Sequence, residues 1–491
     1  MREYTRKEAL DEFAAARAQF ERLVEWLGGE ESESLEHGEV ESLLHEDGME
    51  RLRKLLQGYL DRRSRIEQRR AERVDEEGQK LTHCREGGTR SLMSLFGEVE
   101  VKRKGYSARG HESVFPLDEE LNLPGDKYSH GLRAEVAQAI AQMSFEETGA
   151  QIDRVTGGHV PKRQVEALTV GLSVGFLSFY AEREGGESEG EKRRVMTVDG
   201  KGVVMRREGL RAGTRQAAAR AGRKLKTRLC RGEKSNRKRM ATVAAIYDMA
   251  PHPRMPEQVM GSPEPPGERP RPENKQVWAS LERAPSEVID EVFQEALRRD
   301  PQKERRWVVL VDGQESQLRE LDAAAKRHGV EVTVVQDFIH VLEYLWKAAS
   351  CFHPPGSEEA EAWVRERATN LLRGKVVGVA AGMRRSATRR DLSQEQRKSV
   401  DKCADDLLKN RSRLAFEQAL AAGLPIATGV IEGACRYLVK DRMDITGARW
   451  GLTCAEAVLK LRALHTNGDL PAYLAFHFQQ ERKRRYESAA A

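Results

Sequence analysis

Residues 195–200 read VMTVDG, and residues 308–313 read VVLVDG. Both are short β-branched runs of the kind that makes a buried strand. Each delivers an aspartate, Asp199 or Asp312, followed by a glycine that lets the chain turn. An acid so placed sits at the rim of a sheet, where α/β proteins put their chemistry. A strand-end aspartate also has a plain explanation, as the cap of a turn or of the following helix. The repetition of the unit within one chain weighs against that explanation.

The neighbouring sequence continues the α/β pattern. Residues 241–247 (ATVAAIY) and 332–335 (VTVV) suit strands, the latter ending just before Asp337, and 315–327 suits a helix with Leu318, Leu321 and Ala325 on one side. Helices are expected from about 338 to 465. Residues 201–240 carry 15 Lys or Arg against two acids, a net +13 that leaves the rest of the chain at −8. Clustered basic residues gain by releasing counterions from a phosphate backbone, although a solvated loop has the same composition. A carboxylate pair beside such a segment suits metal-dependent phosphoryl chemistry, because Mg²⁺ prefers hard oxygen ligands and takes one or two carboxylates plus phosphate oxygens.

Upstream, Phe13, Phe20, Leu23 and Leu27, then Met49, Leu52, Leu55, Leu56 and Leu60, give helical stripes over residues 1–80, a helical bundle or a dimerising arm. A break is expected at Glu86-Gly87-Gly88, followed by a small β-hairpin around Leu95–Lys102. Ser144 and Glu147 form a capping-box pattern, Gly157-Gly158 ends that helix, and Pro161 suits the first position of the next. The second helix would show Lys162, Arg163 and Gln164 on its first turn, the outline of a helix-turn-helix, with an ordinary α-hairpin as the alternative. Eight of the 17 prolines fall in 251–272, where no regular element is expected.

Composition sets the outer limits. The chain has 491 residues, 39% of them apolar, with 83 basic and 78 acidic side chains, so wholesale disorder is excluded. The longest uncharged run, Ala167–Ala181, is short of the about 20 residues that cross a bilayer. Neither it nor the charged N-terminus suggests a membrane protein or a secretory signal, and a cytoplasmic protein is expected. Six cysteines without a CxxC pair support neither a disulfide framework nor a zinc ribbon.

With these residues in place, the chain resembles the ISKra-type DDE transposases of bacterial insertion sequences. The resemblance rests on GVIEGACRYLVKDRMDITGARWGLTCAEAVLKLRAL (429–464), VDGKGVVMR (198–206), NRKRMATVAAIYDMAPHPR (236–254), DFIHVLEYLWKAA (337–349) and FGEVEVKRKGY (96–106), and runs from about 90 to 465. It implies an α/β RNase H-like catalytic core with a helical insertion, preceded by a mainly helical N-terminal region with a helix-turn-helix. It also implies metal-dependent cleavage and strand transfer of double-stranded DNA, at the element ends and at a target, by a homo-oligomer found on the nucleoid when bound to DNA. The three acids would be Asp199, Asp312 and Glu432, holding Mg²⁺, for which Mn²⁺ can substitute. Locally, Asp441, Asp444 and Glu456 compete with Glu432. Asp441 and Asp444 lie among charges that suit solvent or ion pairs with Arg442 and Arg449, whereas Glu432 sits one residue off an Ile431, Cys435, Leu438 stripe.

The expected organisation is a helical arm (1–80), hairpin module and helix-turn-helix (90–185), first part of the core (190–350), helical insertion (351–425), the part carrying the third acid (426–470) and a basic tail (471–491). DNA contacts are expected from Lys162, Arg163, Gln164, Arg223, Lys224, Lys226, Arg237, Lys238 and Arg239. His340 and Glu343, three residues apart on one helical face, are secondary candidates near the acids, although a histidine at a helix–helix contact is the plainer reading. An RNase H-like nuclease or resolvase, and a helix-turn-helix regulator without catalysis, remain alternatives.

Overall fold

A computed structural model describes residues 12–70, 80–183, 185, 190–220, 236–261, 268–445 and 447–487. The chain forms two compact units, one of residues 1–181 with 468–491 and one of residues 182–467.

The first unit opens with helices α1 (Ala14–Leu27) and α2 (His37–Ile66). Strands β1 (His83–Ser94) and β2 (Gly97–Ser107) follow as an antiparallel hairpin against α2, sharing a core of Leu60, Leu92, Val99 and Val101. Gly87 and Gly88 do not break the chain as expected. They lie inside β1, where the register shifts between Arg85 and Gly88, so their freedom serves a bulge.

Helices α3 (His130–Ile140), α4 (Phe145–Val155) and α5 (Lys162–Leu172) pack on one another. Both halves of the capping box form: Glu147 N–H donates to Ser144 Oγ at 3.2 Å, and Ser144 N–H to Glu147 Oε2 at 2.8 Å. Pro161 caps α5 from the position before it instead of occupying its first turn. The glycines between α4 and α5 are needed for space. A Cβ on Gly157 would lie 2.5 Å from the Phe96 carbonyl oxygen, and one on Gly158 2.6 Å from that of Ser94, so this turn is seated on the hairpin.

The helical stretch Lys162–Glu182 has the length and apolar character to cross a membrane, at mean hydropathy 1.2. It is interrupted at Gly175 (φ +95), which separates α5 from α6 (Phe176–Glu182), and Leu172, Phe176, Phe179 and Tyr180 are buried in the first unit. The expected tail is also corrected. Residues 470–482 form a C-terminal helix whose Leu470, Tyr473, Leu474 and His477 make a buried stripe. The Tyr473 hydroxyl reaches the carbonyls of Leu172 and Val174 at 2.7 and 2.8 Å, and Arg133 pairs with Glu481 at 2.7 Å.

The second unit is built on a five-stranded sheet, order β5-β4-β3-β6-β7. Strands β3 (Arg193–Val204), β4 (Lys238–Met249) and β5 (Glu273–Ser280) form an antiparallel meander. Helix α7 (Pro285–Arg299) packs on β3 and β4 and leads to β6 (Trp307–Val311), which runs parallel to β3. Helix α8 (Glu315–His328) then leads to β7 (Val332–Gln336), parallel to β6. β6 is buried along its whole length, as its unbroken apolar sequence requires.

The chain continues through α9 (Phe338–Ala349), α10 (Glu358–Leu372), α11 (Val376–Arg389), α12 (Lys398–Lys409) and α13 (Phe416–Ala421). Leu345, Leu371, Met383, Cys403, Leu407 and Phe416 join Val195, Tyr247, Val308, Leu310 and Val335 in one hydrophobic core. The 338–426 helices therefore cover the odd-numbered face of β3 and its matching partners. On the opposite face the Arg194 guanidinium pairs with Asp248 at 2.8 Å, both fully buried, and also donates to the Ala296 carbonyl of α7 at 3.0 Å. Within the Pro-rich stretch, Pro256–Val259 does form a short helix, contrary to expectation, with Pro256 in its first turn where no N–H is missed.

Candidate active site

The last registered pair between β3 and β6 is Thr197 with Leu310. Two residues further along the chain come Asp199, inside β3, and Asp312, the first residue after β6, so both aspartates follow the end of the parallel pairing at the same interval. Alternation puts Asp199 on the face of Val195, toward the helical layer, and Asp312 acts electrostatically on Tyr344 of that layer. The sequence reading of Asp199 as a strand end needs correction: β3 runs on to Val204, because its antiparallel pairing with β4 continues after the parallel pairing with β6 has stopped. Gly200 stays in the strand, whereas Gly313 does turn the chain, at φ +94.

Asp199 accepts from its neighbour Gly200 N–H at 2.6 Å and from the Cys435 thiol at 3.3 Å. One oxygen of Asp312 accepts from Gln314 N–H at 2.9 Å, the turn-capping bond of the plainer reading, and the other takes no hydrogen bond among the described residues.

Glu432 is carried by α14 (Gly429–Ala434), which packs on β3 and β4 and continues as a π-helical turn over Cys435–Lys440. Ile431, Cys435 and Leu438 are its buried stripe, at 2%, 5% and 0% exposure, which leaves Glu432 on the exposed flank. Burial pushes the Cys435 thiol well up from its ordinary value, and the carboxylates of Asp199 and Glu432 push it the same way, so both charges act on one sulfur. The thiol is thus a neutral donor to Asp199. The competitors of Glu432 have other partners. Glu456 is buried and accepts from Ser280 hydroxyl and Leu281 N–H at 2.8 and 2.7 Å, closing the end of β5. Asp444 lies 4.0 Å from Lys238 and Asp441 3.7 Å from Arg436.

Sequence reasoning passed over Asp337. Its N–H extends the β6–β7 pairing to the Val311 carbonyl at 2.7 Å, and its side chain is 3% exposed. One oxygen caps α9 through Ile339 N–H at 3.0 Å, and the other accepts from the Thr428 hydroxyl at 2.5 Å. Thr428 Oγ1 also lies 3.5 Å from Glu432 Oε1. The signal was present, since VTVVQ followed by Asp337 repeats the strand–aspartate pattern a third time.

His340 packs edge-on against Tyr344 at 5.2 Å between ring centres and acts electrostatically on Asp406, whose carboxyl is raised by burial. Asp312 and Asp406 both contribute to the raised Tyr344 hydroxyl, after burial. Glu343 is exposed and pairs with Lys347 at 3.5 Å. Neither His340 nor Glu343 shares a hydrogen bond with the three acids among the described residues.

Of the basic candidates, Lys162, Arg163 and Gln164 are exposed on the first turn of α5, Lys162 at 3.4 Å from Glu146. Arg237 and Lys238 are exposed where β4 begins. Arg239 is engaged internally: its guanidinium donates to the carbonyls of Leu281, Gly209 and Glu282 at 2.7, 3.0 and 3.4 Å, bracing the loop after β5. Arg223, Lys224 and Lys226 lie outside the described residues.

Asp199, Asp312, Asp337 and Glu432 are carried by elements at one end of the parallel strands, none of them in an ion pair among the described residues. Their partners are a thiol, a hydroxyl and backbone N–H groups. Among the described residues no three His, Cys, Asp or Glu side chains close up as a ready-made metal cluster. The donor chemistry, hard oxygens without a compensating cation, fits Mg²⁺, around which the carboxylates would have to draw together.

Residues 31–239 match the model of UPF0236, an uncharacterised protein family. The matched segment takes in α2, the hairpin, the three-helix region and β3 with Asp199, and stops before Asp312 and Glu432. A curated relative, "UPF0236 protein in vanSb 3'region" of Streptococcus gallolyticus, is 27% identical over 118 residues, 23% of this chain and 25% of the relative. The chain thus spans a quarter of the length of that relative.

Proposed function

We propose that this chain is a DNA transposase of the DDE type, cutting and joining DNA at the ends of its insertion sequence with an RNase H-like core. The observation that carries the reading is the placement of Asp199 and Asp312 two residues past the last registered pair of the parallel strands β3 and β6, with the Glu432 helix packed over β3 and β4. The meander extended in parallel by β6 and β7, and the helical layer of 338–426, support the core and its insertion. The three packed helices α3–α5 and the exposed first turn of α5 support DNA-end recognition, with Arg237 and Lys238 adding sequence-independent phosphate contacts.

Asp199, Asp312 and Glu432 would hold Mg²⁺ or Mn²⁺, which supplies charge stabilisation at the attacking and leaving oxygens of a phosphodiester. The chain's own contribution is preorganisation. The β3–β6 pairing brings the segments that carry the two carboxylates side by side, and the Cys435 thiol orients Asp199 without neutralising it, because a thiol so strongly disfavoured from ionising stays a neutral donor. Asp337 and Thr428 hold the start of the Glu432 helix to the end of β7, so the third acid is positioned by a strand it does not belong to.

The test is cleavage of linear DNA carrying the element's ends by the purified full chain with Mg²⁺ or Mn²⁺. Asp199→Asn, Asp312→Asn and Glu432→Gln should each lower cleavage by at least about a hundredfold, the scale of losing one preorganised electrostatic group. End binding should persist in all three. Normal cleavage by the Asp199 or Asp312 variant overturns the reading; cleavage without joining points to a nuclease or resolvase, and binding without cleavage to a regulator. Short inverted repeats flanking the gene are the genomic counterpart of the same test.

A further inference from the structure

The ladder between β3 and β6 stops one bond short of Asp312. Arg194 N–H donates to the Arg306 carbonyl at 3.0 Å, so Arg194, Met196 and Val198 are the residues whose backbone groups face β6. The last registered pair is Thr197 with Leu310, and the bond due next would run from Asp312 N–H to the Val198 carbonyl. That bond is not made. The Val198 carbonyl accepts instead from the side-chain amide of Gln317, on the first turn of α8.

Gln317 thereby takes the place of a ladder donor. Asp312 Oδ1 is bonded to Gln314 N–H at 2.9 Å, just before the same helix, so a continuous path runs from the Asp312 carboxylate through the start of α8 to the residue before Asp199. From the other side the turn rests on β7: Gly313 has φ +94, and a Cβ there would lie 2.9 Å from Gln336 Nε2. Neither amide is fully satisfied. Gln317 Oε1 and Gln336 Oε1 are buried with no hydrogen-bond partner among the described residues. An apolar side chain would avoid that penalty, so stability alone gives no reason for an amide on both sides of one turn.

We propose that Gln317 is a positioning residue of the catalytic site, setting how far the Asp312 segment stands from β3 and hence whether Asp199 and Asp312 can share one cation. The proposal rests on the two-aspartate reading above. Mg²⁺ demands near-ideal octahedral geometry, so a displaced carboxylate is felt first as lost metal affinity. Residues that orient metal ligands without touching the metal typically change affinity by about ten- to a hundredfold.

Titration calorimetry of the full chain with Mn²⁺, without DNA, reads this apart from cleavage. Gln317→Met keeps the length of the side chain and removes the donor. Gln317→Asn keeps the amide but ends one methylene short of Val198, and serves if the Met variant does not fold. Each should bind Mn²⁺ about ten- to a hundredfold more weakly and need correspondingly more Mg²⁺ for half-maximal cleavage. Excess Mg²⁺ should restore their cleavage, which it cannot do for Asp312→Asn, and end binding without metal should match wild type. Wild-type Mn²⁺ affinity in the variants, or a loss of cleavage that excess Mg²⁺ does not restore, overturns the role of Gln317 and leaves the reading of the aspartates standing. A wild-type protein that neither binds Mn²⁺ nor cleaves overturns both.

Discussion

Thr428 places one hydroxyl between Asp337, which is buried, and Glu432, which is not. Thr428→Val would leave a buried carboxylate oxygen without its donor, at a cost of about 1–3 kcal/mol in chemical denaturation, whereas Thr428→Ser should be close to wild type. If Val is tolerated as well as Ser, the hydroxyl does not hold the two elements together. A larger penalty is expected at Arg194, fully buried against Asp248: Arg194→Met should cost about 3–5 kcal/mol, because it leaves an uncompensated charge in the core. A melt within one degree of wild type would contradict that. These residues also show what a sequence discloses at this scale. Asp199 and Asp312 were legible because a β-branched run and its terminal acid are local. Asp337 repeats the pattern but reads as a helix cap, which it also is. The bond from Cys435 to Asp199 joins residues 236 apart, and no spacing rule reaches across that. Arg239 looks like its basic neighbours, and only the three carbonyls around it distinguish a brace from a phosphate contact.

Among elements, those with strong periodicity came out close to expectation and those at punctuation did not. The capping box at Ser144 and the buried stripe that runs from α14 into the turn after it follow from residues within one or two helix turns. Gly87-Gly88 and Gly157-Gly158 look alike as sequence, yet one pair sits inside a strand as a bulge and the other makes a turn seated on the hairpin. The second makes a prediction: Gly157→Ala should destabilise the first unit by about 1–3 kcal/mol, since its methyl group would meet the Phe96 carbonyl, the scale of an overpacked contact. Unchanged stability would mean the hairpin turn moves aside at no cost. For α5, Lys162→Ala and Arg163→Ala should each reduce the salt dependence of DNA-end binding by about 0.9 log units per lost phosphate contact. The ion pair of Lys162 with Glu146 is exposed on both sides and offers little competition to a phosphate. An unchanged slope in both variants would move recognition away from this helix.

At the scale of the whole molecule, the chain leaves its first unit at residue 181, builds the second, and returns at 468. The sequence did not disclose the return, because a basic terminus reads as a tail until its Tyr473 and His477 are seen to have somewhere to go. The return ties the first unit's stability to its last helix, and His477 makes that stability depend on pH. The ring is 3% exposed and reaches the Val174 carbonyl through Nδ1 at 3.0 Å. Burial holds its pKa below the usual 6.5, and His130, also lowered first by burial, lies in the same unit with its ring 4.3 Å from Phe478 of that helix. Between the lowered folded value and 6.5 the unfolded chain binds protons that the folded chain does not, so stability increases with pH through that window. It is fully present above 6.5 and is lost as pH falls through the window toward the folded value. Melts followed by hydrogen exchange should therefore show the C-terminal helix and the 165–181 segment losing protection between pH 7.5 and 5.5, while β3–β7 change far less. His477→Gln, which can donate to Val174 but does not titrate, should flatten that dependence. Equal protection of the helix at both pH values would mean that neither histidine is held neutral by the fold.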